Sequence, residues 1–172
     1  MTKKLAEYSQ IVERMRQAGI EYDQLQWRGF ALGLACRGFD PQSRKFVSAA
    51  AVAMNGGTPL PGVALKMLLG VVEWDLEKLK QGDALFADFL DESLKPEESL
   101  QGLADLALGL SLGLAFNSEG GMTAGNSQMV DFLQGLSDIS RVDPEGGFDR
   151  EDEACVLGYI RGELQQIYKK YH

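Results

Sequence analysis

His172 is the only histidine in this 172-residue chain, and it stands at the last position. A histidine general base or a histidine-containing metal set needs imidazoles held inside a fold. One at the end of the chain reads instead as part of a mobile terminus. Cys36 and Cys155 are the only cysteines. Both lie among apolar residues, where a thiol behaves as a small buried hydrophobe. Two thiols make neither a structural zinc site nor a disulfide scaffold.

Carboxylates offer the remaining acid–base chemistry. Glu73 and Asp105 are single acids within apolar helical patterns. Paired catalysis would need both in one cleft, and charges at the rim of a core are the simpler reading. Asp143, Glu145, Asp149, Glu151, Asp152 and Glu153 form an acid cluster without the spacing of an EF-hand loop. It reads as a solvated helix start. The run Glu119-Gly-Gly-Met-Thr-Ala-Gly-Asn126 lacks the Lys-Ser/Thr ending of a phosphate loop. A glycine-rich turn before a helix can still hold an anion, and a flexible connector is the alternative. Trp27 and Trp74 fall in helical patterns and read as core. No catalytic, cofactor-binding or metal-ligating residue is therefore assigned, and no cofactor is expected.

The elements that would position any site are helices. Three times two glycines stand four residues apart inside a helical pattern: Gly29/Gly33, Gly109/Gly113 and Gly158/Gly162. Each helix-interior glycine costs about 0.8–1 kcal/mol relative to alanine, so six cost roughly 5–6 kcal/mol. Close approach of helix backbones is the compensation expected. The helices that carry the three pairs are expected to form the tightly packed centre.

Helix ends are marked by caps. Thr2 caps a first helix with Leu5, Tyr8, Ile11, Val12 and Met15 on one face, stopped by Gly19. Asp23 and Gln26 suit a capping box opening a second helix through Cys36. Asp40-Pro41 reads as an N-cap and N1 proline, with Asn55-Gly56-Gly57 closing that helix. After the connector 58–61, Leu65, Leu68, Leu69, Val72, Leu76 and Leu79 define a long helix ending near Gly82. Residues 83–95 fit either a short helix or an extended segment. Pro96 opens a helix to Phe116, Asn126 caps one ending near Ser140, and Asp149 with Asp152 at N3 opens the last. No sustained period-2 pattern occurs, so the expectation is an all-α single domain over 1–172, a bundle of six to seven helices.

Composition agrees with a globular protein: 45% apolar and 24% charged residues, with a formal net charge of −8. Lys and Arg cluster no more densely than Lys3-Lys4, Arg44-Lys45 and Lys169-Lys170, so direct nucleic-acid binding is not expected. The apolar stretch Leu103 to Phe116 contains Asp105 and is short for a membrane span. The Met-Thr-Lys-Lys start lacks the apolar core of a signal peptide. A cytoplasmic location is the consistent expectation.

The stretch Leu25-Gln-Trp-Arg-Gly-Phe-Ala-Leu-Gly-Leu-Ala-Cys-Arg-Gly38 resembles a motif of the YgfB/YecA-like family of uncharacterised bacterial proteins. Leu108-Gly-Leu-Ser-Leu-Gly-Leu114 is similar to that family's central-helix signature. Met129 to Tyr168, two helices with an acidic linker, matches its last third in order and character. Arg28 stands where a histidine is common, Cys36-Arg37-Gly38 replaces Cys-Gly-Gly, and the cysteine-rich metal motif of some relatives is absent. The resemblance implies a helical, cytoplasmic, dimeric protein and carries no reaction, cofactor or catalytic residue.

The expected function is a non-catalytic interaction or regulatory module that presents a helical surface to a protein partner. The alternative is an enzyme or small-molecule or ion binder using carboxylates in an inter-helix cleft. A homodimer is expected, with Met67, Leu68, Val71 and Val72 as its candidate patch.

Overall fold

Glycine against backbone sets the centre of the molecule. The computed structural model describes residues 24–82, 96–116 and 127–172, together with helical positions Gln10, Glu13 and Gln17. Among the described residues there are six α-helices and no strand. They are α1 (Gln24–Cys36), α2 (Arg44–Asn55), α3 (Gly62–Gln81), α4 (Pro96–Ala115), α5 (Ser127–Ile139) and α6 (Arg150–Tyr171). A 3-10 turn, Pro144–Gly146, precedes α6. The all-helical class read from the sequence is the one observed.

Helix α1 packs most extensively on α4, and the two run parallel: Gly29 faces Gly109 and Gly33 faces Gly113. A Cβ built on Gly29 would lie 2.5 Å from the Leu106 carbonyl oxygen and 2.8 Å from the Leu110 amide nitrogen. One on Gly109 would enter the Gln26 carbonyl group, with its carbon at 2.6 Å. Gly33 and Gly113 are closed off in the same way by Leu110, Phe30 and Leu34 backbone atoms. The backbones therefore touch along two helical turns, offsetting the poor helix propensity of all four glycines.

Every residue from Trp27 to Cys36 is buried, as a central helix requires. Helix α4 answers with Leu103, Leu106, Ala107, Leu110 and Leu114. The other helices wrap this pair: α5 lies on α4, α3 on α1, and α6 touches α1, α3 and α4. Each turns an amphipathic stripe inward: Leu68, Val72 and Leu79 of α3, Met129, Phe132 and Leu136 of α5, Ile160, Leu164 and Ile167 of α6.

The third glycine pair departs from expectation. Among the described residues, a Cβ at Gly158 or Gly162 meets nothing within 4 Å. The two lie on the side of α6 away from Ile160 and Leu164, so they do not belong to the packed centre.

Cap chemistry was legible where one candidate stood alone. Asp149 forms the expected box: its side chain accepts from the Glu151 and Asp152 amides, and Asp152 accepts from the Asp149 amide. Gly56 closes α2 in the left-handed region at φ 57°, and Gly82 closes α3 at φ 74°. Asp40 is not the cap of α2. Its side chain accepts from the Gln42 amide and its carbonyl from the Ser43 amide, which closes a turn at Pro41. Ser43 then caps the helix, accepting from the Phe46 amide at 3.2 Å. The cap readings at Thr2, Asp23 and Asn126, the segment 83–95 and the glycine-rich run before Asn126 lie outside the described residues.

Candidate functional site

Helix α3 buries a charge in its apolar stripe. Leu68, Val72, Asp75 and Leu79 follow a 4, 3, 4 spacing, so Asp75 faces the core with them. It meets Arg28 of α1, one residue before the first seam glycine. Relative exposures are 1% for Arg28 and 0% for Asp75. Arg28 Nε donates to Asp75 Oδ2 at 2.5 Å, and a terminal guanidinium nitrogen donates to Oδ1. This is the planar two-bond match of guanidinium and carboxylate. The guanidinium carbon also lies 5.7 Å from the centre of the Trp74 ring, and Lys78 Nζ lies 4.3 Å from it.

Such a pair gains little over an apolar pair of the same volume, but it costs heavily to break. Both Asp75 oxygens are engaged by one guanidinium, which holds α1 and α3 in a single register. The pair was missed in the sequence reading. Its signals were Arg28 in an apolar run ending at Cys36 and Asp75 in the stripe of α3.

Cys36 ends α1 in the same interior. Burial pushes its thiol well above the ordinary cysteine range, and the negative charge of Asp75 raises it further. The reactive species is the thiolate, so Cys36 is inert in the folded protein, whereas Cys155 is exposed. Alkylation of dilute native protein near pH 8 is expected to label Cys155 rapidly and Cys36 only after unfolding. Mass spectrometry of the two peptides reads this directly. Equal labelling rates would mean that the end of α1 opens readily.

Three helix C-termini meet beside Cys36. Arg37 donates to the Leu114 carbonyl at the end of α4, and its guanidinium carbon lies 5.5 Å from the centre of the Tyr171 ring. His172 is not free of the fold. A ring nitrogen donates to the Ala35 carbonyl at 2.8 Å, and the ring stacks on Tyr168 with centroids 4.3 Å apart. Lys80 and Lys170 lie over the Tyr168 and Tyr171 rings. Cations at helix C-termini are favoured by the helix dipole.

The other candidates are dispersed. Glu73 is exposed and accepts from Gln42, in the turn before α2, whereas Asp105 accepts from Gln101 on its own helix. Trp27 is core, edge-on to Phe30. In the acid cluster, Asp143 accepts from the Glu145 amide, and Asp149 and Asp152 form the α6 cap. Glu153 departs from the solvated reading: it is 4% exposed and pairs with Arg150 at 3.2 Å. Glu145 and Glu151 remain exposed. Leu68 and Val72 of the expected dimer patch are buried in the chain's own core and cannot face a partner. The glycine run 119–126 lies outside the described residues.

Among the described residues, no group of three or more His, Cys, Asp or Glu side chains is placed to hold a metal ion. None of the described helices is long and apolar enough to cross a membrane. No protein-family model matches the chain, and no curated protein matches it.

Proposed function

We propose that this chain is a non-catalytic protein-interaction module of the YgfB/YecA-like type, acting in the bacterial cytoplasm on a protein partner and not on nucleic acid. The observation that carries this reading is the commitment of Asp75, Cys36 and His172 to structure. Asp75 is tied to Arg28, burial keeps the Cys36 thiol protonated, and the His172 ring donates to a backbone carbonyl. What is offered outward is a helical surface with an acidic ledge, Glu145 and Glu151, at the start of α6. Exposed like charges of this kind steer a partner with a cationic face.

Affinity capture from the native cytoplasm tests it. Glu145→Lys is expected to reduce capture of the partner several-fold while the circular dichroism spectrum is unchanged. Metabolite turnover by the purified protein, lost on Asp105→Asn or Glu73→Gln, would overturn the reading in favour of an enzyme.

A further inference from the structure

We draw no further inference here: the strongest candidate, the exposed apolar pair Leu108 and Leu112 on the outer face of α4, carries nothing because nothing in the structure shows what covers it.

Discussion

Gly109→Ala is expected to lower the unfolding free energy by about 3 kcal/mol or more, at or above the top of the usual range for overpacked cores. The usual cost is moderate because side chains shift around an added methyl group. At Gly109 the obstacle is the Gln26 carbonyl of α1, with further Gln26 backbone atoms within 3 Å. Backbone cannot rotate away, so α1 and α4 must separate, and the contacts of Gly113 open with them. Gly70→Ala is the internal control. Gly70 sits inside α3, exposed, with no described residue within 4 Å of an added Cβ. Its substitution should stabilise the protein by about 0.5–1 kcal/mol through helix propensity alone. Urea denaturation of the two variants gives opposite signs from the same chemical change. Equal effects would mean that the seam does not govern stability.

Asp75→Ala is expected to cost about 3–5 kcal/mol, the penalty for removing one member of a buried ion pair. The substitution takes a carboxylate away from a guanidinium that is 1% exposed, and it leaves a small cavity in the α3 stripe. Replacing both partners, as Arg28→Met/Asp75→Leu, removes the charges together and should recover most of the loss. A double-mutant cycle by chemical denaturation measures the coupling. A single-variant cost below about 1 kcal/mol would show that the pair does not tie α1 to α3.

The seam was legible because glycine in a helix interior is costly enough to demand an explanation. The pattern could not say which of three pairs would find a backbone opposite. Gly158/Gly162 has the spacing of the other two, but the buried stripe of α6 is set by Ile160, Leu164 and Ile167 on its far side. The Asp149 box could be read because its acceptors and amides are three residues apart. At the start of α2 two capping residues compete within four positions, and the turn at Pro41 decides for Ser43. The Arg28–Asp75 pair spans 47 residues. Each half was visible as a charge in an apolar stripe, but joining them required knowing that α1 packs on α3. His172 was misread for a related reason: its bond to the Ala35 carbonyl depends on the tertiary meeting of α1 with α6, although its stack on Tyr168 is local to α6.

The parallel α1–α4 pair, joined backbone to backbone, is expected to be the most stable part of the protein. Native-state hydrogen exchange tests it most directly. The amides of Gly29 to Cys36 and of Leu106 to Leu114 should exchange most slowly, and only through global unfolding, with α3, α5 and α6 opening at lower free energy. Amides of α3 or α6 that outlast those of α1 and α4 would contradict it.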